Sequence, residues 1–202
     1  MKVLIIYYSM FGNTFKLAQN IAEGAAMISN AEVFIKQVPD LLPESVIDND
    51  EKIKHAKELQ KDIPIASPSE IADYDAIIWG FPTRYGNVCS QMRNFIDQTG
   101  SLWATGKLEG KVTGVFCSTA SIHGGQETTL LSAIVPLMHL GMIVVGVPYS
   151  VPEMSTTKTG GTPYGPTHVA GPNSDNPISQ EEAAIAKAFG KRITDVAAKL
   201  ID

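Results

Sequence analysis

A short polar segment near the start of the chain holds the residues best suited to bind an anion. Its members are Ser9, Met10, Phe11, Gly12, Asn13 and Thr14. The segment follows an apolar run and opens a stretch with helical periodicity, so backbone N–H groups at a helix N-terminus would converge with hydroxyl and amide side chains. Because it contains no Lys or Arg, it is better suited to one phosphate monoester than to a triphosphate with its metal. Neither G-x-x-x-x-G-K-[ST] nor G-x-G-x-x-G occurs in the chain, which disfavours a nucleoside triphosphatase or a conventional dinucleotide-binding fold.

Two further segments of small, polar and glycine-bearing character follow later apolar runs. The second segment consists of Pro82, Thr83, Arg84, Tyr85, Gly86 and Asn87, and the third of Ser118, Thr119, Ala120, Ser121, Ile122, His123, Gly124, Gly125 and Gln126. Such residues let the backbone approach a flat heteroaromatic ring closely. Arg84 is one of three arginines in the chain. It is interpreted either as a ligand clamp or as an ordinary solvated surface cation.

Strands and helices alternate along the chain and predict how these segments are positioned. Apolar runs predict five strands, at Val3–Tyr8, Glu32–Gln37, Ala76–Phe81, Val112–Ser118 and Met142–Val147. Helical periodicity separates them, and strands that alternate with helices indicate a parallel, doubly wound α/β sheet. Ligands of such sheets bind beyond the carboxyl ends of the strands, so the three polar segments are expected to meet there.

Two helical patterns carry further information. Ser179 and Glu182 have the spacing of a capping box before the last helix. The stretch from Glu127 to Leu140 is apolar around nearly its whole circumference, which is typical of a buried helix. Either a second subunit covers this helix, or the long Gly/Pro-rich loop at about 148–177 does so within the chain.

Composition limits the remaining possibilities. A chain of 202 residues with 44% hydrophobic content predicts a single domain over 1–202, with a charged insertion at about 39–68. The net charge of −5 disfavours nucleic acid and anionic membranes as partners. No segment has the ~20 consecutive apolar residues of a membrane span. Cys89 and Cys117 lie singly, without metal-ligand spacing, so we expect reduced thiols, no metal and a cytoplasmic protein.

The combination of motifs resembles the WrbA-type NAD(P)H:quinone oxidoreductases over nearly the full length. Besides the three polar segments, the resemblance is carried by Gln91 to Gly100, Leu102-Trp103, Gly141-Met142 and Gly160 to Gly165. It implies a flavodoxin-like three-layer sandwich with a five-stranded parallel sheet in the order 2-1-3-4-5 and helices on both faces. It also implies FMN as cofactor, a homotetramer, and two-electron reduction of quinones by NADH or NADPH.

The resemblance also implies residue roles. Cofactor-binding positions fall on residues 9–14 and 82–87, on Ser118, Thr119, Ala120, Ser121, His123 and Gly124, and on His139. Substrate-binding positions fall on Phe11 and on Trp103, the latter reaching the site from a neighbouring subunit. Phe11 stands where some family members have a tyrosine that contacts the nicotinamide nucleotide, so that hydroxyl interaction is absent here.

The expected chemistry belongs to the flavin, which would take a hydride at N5 and pass two electrons to a quinone. Arg84 would stabilise negative charge on the reduced ring and raise its potential. Alternatives are a single-electron carrier like flavodoxin, a regulatory module that binds a repressor or DNA, and an FMN-dependent reductase of azo or nitro compounds. Neither an acidic ribose clamp nor a 2′-phosphate arginine is identifiable, so the sequence leaves NADH against NADPH open.

Overall fold

The parallel sheet of the computed structural model, which describes residues 1–201, has the predicted order. The strands are β1 (Lys2–Tyr7), β2 (Glu32–Gln37), β3 (Ala76–Arg84), β4 (Asn87–Val88), β5 (Val112–Thr119), β6 (Ile143–Val144) and β7 (Thr167–Val169). The main order is β2-β1-β3-β5-β6, and β4 pairs antiparallel with the end of β3 as a short hairpin. With this hairpin set aside, the arrangement is the flavodoxin-like order, and that prediction is confirmed.

The fifth strand position differs from the predicted continuous strand at Met142–Val147. The two-residue strand β6 pairs with the beginning of β5, at Val112 and Thr113, while β7 pairs with its end, at Cys117 to Thr119. The chain between β6 and β7 leaves the sheet and returns. The predicted boundaries were wrong because the apolar run continues past Val144 without a strand partner for its second half.

Helices cover both faces of the sheet. They are α1 (Asn13–Ala25), α2 (Glu44–Asp48), α3 (Glu51–Gln60), α4 (Ser90–Asp97), α5 (Gly100–Ala104), α6 (Gln126–His139), α7 (Glu153–Thr156) and α8 (Gln180–Ile201). Alternate residues of β1 enter opposite cores: Leu4 and Ile6 pack with the α4 and α6 side, and Val3 and Ile5 pack with the α1 and α8 side. Within residues 1–201, no helix has the length and apolar character needed to cross a bilayer.

Helices α1 and α8 approach each other backbone to backbone. A Cβ added at Gly24 would lie 1.9 Å from the carbonyl oxygen of Lys187, and one added at Gly190 would lie 2.0 Å from that of Ile21. Glycine is therefore required at both positions for this distance of approach. The close packing fixes α1, and with it the segment that precedes its first turn.

The charged insertion at about 39–68 contains two helices, α2 and α3. Helix α3 is capped by Asp50, whose carboxylate accepts from Lys52 N at 2.9 Å, and it buries Ile53 and Ala56. Its last residue, Gln60, is buried and donates to the carbonyl oxygen of Ser9 at 3.3 Å. The insertion therefore packs directly against the first polar segment.

Helix α6 is only partly buried. Leu130 and Leu137 lie in the core, whereas Leu131, Val135 and Met138 are exposed. Of the two alternatives, cover by the long loop is not observed for these side chains: the loop contacts the start of α6, where Thr167 donates to Gln126, and leaves Leu131, Val135 and Met138 exposed. Self-association through the exposed residues stays a prediction.

The Gly/Pro-rich loop is held by one buried carboxylate, in an arrangement that we call the Glu182 clasp, formed by Gly160, His168, Val169, Ser179 and Glu182. Oε1 of Glu182 accepts from Gly160 N at 2.9 Å and from Val169 N at 3.0 Å. Oε2 accepts from Ser179 N at 2.9 Å and lies 2.8 Å from His168 Nδ1. The capping box is present, since Glu182 N donates to Ser179 Oγ at 3.1 Å. Burial by itself raises the pKa of the Glu182 carboxyl, but the hydrogen bonds from His168, Ser179 and Val169 outweigh it and hold that pKa below its ordinary value.

Candidate functional site

The three polar segments meet at the carboxyl ends of β1, β3 and β5 and enclose a cavity of about 220 Å³, which we call the polar cavity. Its lining comprises Ser9, Met10, Phe11, Asn13, Thr14, Pro82, Thr83, Arg84, Ser118, Thr119, Ala120, Ala170 and Ser174. The convergence expected from the strand pattern is therefore observed. None of the lining residues is an aspartate or glutamate, and Arg84 is the one cation among them.

The first segment presents unpaired donors at the start of α1. Gly12, the N-cap residue of α1, has a left-handed φ of 82° and no side chain with which to cap the helix. Ser9 Oγ accepts from Phe15 N at 3.3 Å, and the carbonyl oxygen of Gly12 accepts from Lys16 N at 3.0 Å. Within residues 1–201, the N–H groups of residues 10–14 have no protein acceptor. Such a group of free N–H donors at a helix N-terminus is suited to bind an anion.

Side-chain atoms of the same segment are also left without partners. Asn13 donates from Nδ2 to the carbonyl oxygen of Ser174 at 2.9 Å, while its Oδ1 is buried and has no partner among the described residues. Thr14 is 1% exposed, and its hydroxyl likewise makes no hydrogen bond within residues 1–201. Because buried polar atoms are normally paired, these orphaned groups indicate a place where a ligand completes the hydrogen bonding.

The second segment carries Arg84, the one cation that lines the cavity within residues 1–201. Arg84 donates from Nη1 to the carbonyl oxygen of Thr83 at 2.9 Å and from Nη2 to Met10 Sδ at 3.3 Å. The guanidinium thus bridges the first and second segments. A thioether is a weak acceptor, so this contact can be exchanged for one to a ligand at little cost. Thr83 Oγ1 lies 2.8 Å from Thr129 Oγ1 and accepts from Gly86 N at 3.2 Å, which fixes the turn that presents Arg84.

The third segment contributes only its first part to the lining. Ser118 and Thr119 end β5, and Thr119 Oγ1 donates to the carbonyl oxygen of Ser121 at 2.8 Å. Gly124 N donates to the same carbonyl at 3.1 Å. This tight turn directs the chain away from the cavity after Ala120 and towards the start of α6.

A fourth wall was not identified from the sequence. Ala170 and Ser174 line the cavity from the turn that follows β7. Gly171 has φ 78° and Ser174 has φ 58°, and Asn176 N donates to the carbonyl oxygen of Ala170 at 3.0 Å. The run of turn-forming residues from Gly171 to Asn176 was a detectable signal for a turn, but nothing in the local sequence related it to residues 9–14.

Several predicted site residues lie outside the lining of the polar cavity. They are Gly12, Tyr85, Gly86, Asn87, Ser121, His123, Gly124, Trp103 and His139. Tyr85 is fully exposed with φ 54°. Trp103 and His139 instead line a separate cavity of about 420 Å³ between α5 and α6. Their predicted roles toward a cofactor or substrate stay predictions.

The ionisable groups behind the first segment, Tyr8, Asp40 and Lys57, pair with one another. The Tyr8 hydroxyl donates to Asp40 Oδ1 at 3.1 Å, and Lys57 forms an ion pair with the same carboxylate. Burial raises the pKa of Asp40, but the contacts with Lys57, Leu42 N and Tyr8 outweigh it and lower that pKa overall.

The two cysteines are buried elsewhere in the core. Burial raises the pKa of the Cys89 and Cys117 thiols, so neither is suited to act as a thiolate nucleophile.

Known proteins resemble this chain in sequence and in fold. A protein named NAD(P)H dehydrogenase (quinone) from Aromatoleum aromaticum is 45% identical to it, over 100% of this chain and 98% of that relative. A protein of the same name from Geotalea uraniireducens is also 45% identical, over 99% of each chain. A flavodoxin, WrbA-like protein from Agrobacterium tumefaciens has a similar solved structure, with a TM-score of 0.65 at 23% identity and coverage of 98% of both chains. Flavodoxin 1 from Bacillus cereus gives a TM-score of 0.61 at 19% identity, over 96% of this chain and 98% of that one.

A family profile agrees with these similarities. The profile described as NADPH-dependent FMN reductase matches residues 1–156, which include the first three walls of the polar cavity. The resemblance to WrbA-type oxidoreductases is thereby confirmed. The chain belongs to the NADPH-dependent FMN reductase family.

Proposed function

We propose that this protein is an FMN-dependent NAD(P)H:quinone oxidoreductase. The names of the relatives that are 45% identical over the full chain and the family description support this activity. The observation that carries it is the polar cavity, in which free N–H donors lie opposite a single cation and no carboxylate.

The residues present fit FMN. A phosphate monoester would satisfy the free N–H groups of residues 10–14, the Thr14 hydroxyl and the helix dipole together. The cavity walls after the phosphate site are small or flat, at Pro82, Thr83 and Ala120, and leave the backbone accessible to an aromatic ring. The unpaired N–H and hydroxyl donors therefore suit the phosphate of the cofactor, and the small or flat walls suit its ring.

When bound, FMN would supply the redox chemistry, a two-electron transfer from NADH or NADPH to a quinone. The chain contributes binding and electrostatics. Residues 9–14 anchor the phosphate, and the walls at 82–84 and 118–120 bound the ring. Arg84 supplies positive charge where negative charge accumulates on reduction, which stabilises the reduced state.

Self-association is part of the proposal. The exposed side chains of Leu131, Val135 and Met138 on α6 adjoin the cavity that contains Trp103 and His139. A homotetramer would cover this apolar surface and would bring Trp103 and His139 near the polar cavity of another subunit. Light scattering coupled to gel filtration measures the mass directly, and a monomer at micromolar concentration would contradict this part. A cytoplasmic location stays a prediction from the unpaired cysteines.

Anaerobic spectroscopy tests the activity. The FMN-loaded protein is mixed with NADPH or NADH, and bleaching of the flavin absorbance is followed before benzoquinone is added. We expect rapid bleaching by a reduced nicotinamide and full recovery with one equivalent of quinone. A single-electron carrier would instead remain oxidised until a separate reductase is supplied, and that result would reject the proposal.

A further inference from the structure

A second cavity, of about 520 Å³, lies between α1 and α3 and adjoins the polar cavity. We call it the α1–α3 groove. Phe11 and Ser174 line both cavities. The two cavities are therefore neighbours and meet at these two residues.

The groove carries more positive than negative groups, although the chain has a net charge of −5. Its cations are Lys16 of α1 and Lys52 of α3, and Asp175 is the one carboxylate in its lining among the described residues. Among the described residues, neither lysine forms an ion pair. Lys52 donates one hydrogen bond, to the carbonyl oxygen of Asn173 at 2.9 Å, which leaves its other two N–H groups available. Two cations that line one groove and have no ion-pair partner among the described residues are suited to a dianionic group.

Apolar side chains complete the groove. Phe11, Phe15 and Leu59 contribute to its lining. The ring of Phe15 is held by stacking on Tyr7, with ring centroids 5.5 Å apart. A fixed aromatic ring beside an aliphatic side chain is a suitable contact for a flat heterocycle such as adenine.

We propose that the α1–α3 groove binds the adenosine end of NADPH, with Lys16 and Lys52 contacting its 2′-phosphate. This inference rests on the proposed function, since it places the rest of the same nicotinamide nucleotide whose reducing end enters the polar cavity. A phosphate monoester carries about −1.5 to −2 charges at neutral pH, whereas NADH has a neutral hydroxyl at that position. The groove therefore favours NADPH over NADH. Lysines act as point charges in this role and do not require the bidentate geometry of an arginine.

Calorimetry with the FMN-loaded protein tests the groove, with adenosine 2′,5′-bisphosphate and 5′-AMP as probes. We expect the bisphosphate to bind more tightly than 5′-AMP. Lys16→Gln and Lys52→Gln should each lower bisphosphate affinity about fivefold, the range of one exposed charge contact, without changing 5′-AMP binding. Lys54→Gln is the matched control, because Lys54 is exposed on the same helix and does not line the groove.

Steady-state kinetics give an independent measurement. The KM for NADPH should rise about fivefold in Lys16→Gln, with kcat and the KM for NADH unchanged. Lys52 also contacts the 171–176 turn, so FMN affinity is measured in Lys52→Gln to detect an indirect effect. Lys16 makes no such contact in the described structure, so Lys16→Gln is the variant that tests 2′-phosphate binding.

The outcomes separate this inference from the proposed function. If Lys16→Gln leaves the bisphosphate affinity and the KM for NADPH unchanged, or if Lys54→Gln has an equal effect, the groove does not bind the 2′-phosphate. Turnover with NADPH in a protein that does not bind the bisphosphate would also overturn this inference and leave the activity standing. If the bisphosphate binds in a lysine-dependent way but the protein reduces no quinone, the proposed quinone reductase activity is rejected and the proposed nucleotide site in the groove is supported.

Discussion

The polar cavity and the Glu182 clasp use polar groups in opposite ways. In the clasp, every oxygen of the Glu182 carboxylate is paired, and the carboxylate holds the backbone of Gly160, Val169 and Ser179. In the polar cavity, the N–H groups of residues 10–14 and the Thr14 hydroxyl have no partner within residues 1–201. Both arrangements lie at the start of a helix, α8 in one case and α1 in the other.

The comparison shows two uses of the N–H groups at the start of a helix: in α8 they stabilise the fold, and in α1 they are available to a ligand. Where a side chain of the chain itself caps the helix, the donors are consumed and the arrangement stabilises the fold. At the start of α1, where the N-cap residue is Gly12, the N–H groups of residues 10–14 have no acceptor within residues 1–201 and remain free for an anion. Variants at the two helix starts should therefore differ in whether they change the stability of the fold or the affinity for FMN.

Glu182→Ala should destabilise the fold by about 3–5 kcal/mol, because it leaves buried N–H groups and His168 without their partner. Urea denaturation of the FMN-free protein measures the free energy of unfolding. Glu181→Ala is the matched control, since Glu181 lies next to it, is less buried and makes no hydrogen bond through its side chain in the described structure. A Glu182→Ala protein as stable as the control would mean that the clasp does not stabilise the fold.

Acidification should weaken the same clasp by a smaller amount. The pKa of Glu182 is lowered in the folded protein from its ordinary 4.5, so its contribution to the free energy of unfolding is fully present above that value. The contribution is lost as pH falls through the lower pKa of the folded state. The free energy of unfolding, measured between pH 7 and pH 3, should therefore fall less steeply in Glu182→Gln than in the wild type. An equal pH dependence of the free energy of unfolding in the two proteins would contradict this role of the Glu182 carboxylate.

Thr14→Val should weaken FMN binding about tenfold, because one hydrogen bond to a charged phosphate is lost. Unlike the clasp variant, it should leave the stability of the FMN-free protein unchanged, since the hydroxyl has no protein partner. Quenching of flavin fluorescence on titration measures the affinity, and Thr14→Ser, which keeps the hydroxyl, should bind nearly as the wild type does. An unaltered affinity in Thr14→Val would remove Thr14 from the phosphate site.

Arg84→Ala should lower the two-electron midpoint potential of the bound flavin by about 20 mV, the equivalent of somewhat under 1 kcal/mol at an exposed charge. It should also slow reduction by NADPH. Arg84→Lys keeps the charge and should retain most of the potential. Spectroelectrochemical titration of the three proteins provides the comparison, and equal potentials in Arg84→Ala and the wild type would exclude the proposed electrostatic role.

Local patterns predicted the parts of the site that lie next to strands. Residues 9–14 and 82–84 were found because a polar, glycine-bearing segment directly follows an apolar run, and the strand order then brings the segments together. Trp103 and His139 came only from the resemblance, and in this chain they lie together in a different cavity. Periodicity could not assign them, because one aromatic or one histidine on a helix has no spacing of its own.

Local residue patterns were sufficient to predict the alternation of strands and helices, the glycine that starts α1 and the capping box of α8, since each depends on residues within a few positions of one another. Three features follow instead from contacts between distant elements: Ala170 and Ser174 close the polar cavity, β6 and β7 share the fifth strand position, and α6 keeps an exposed apolar side. The hydrogen bond from Asn13 to Ser174 joins residues 161 positions apart. Such contacts depend on how whole elements pack, which no local pattern of residue types encodes.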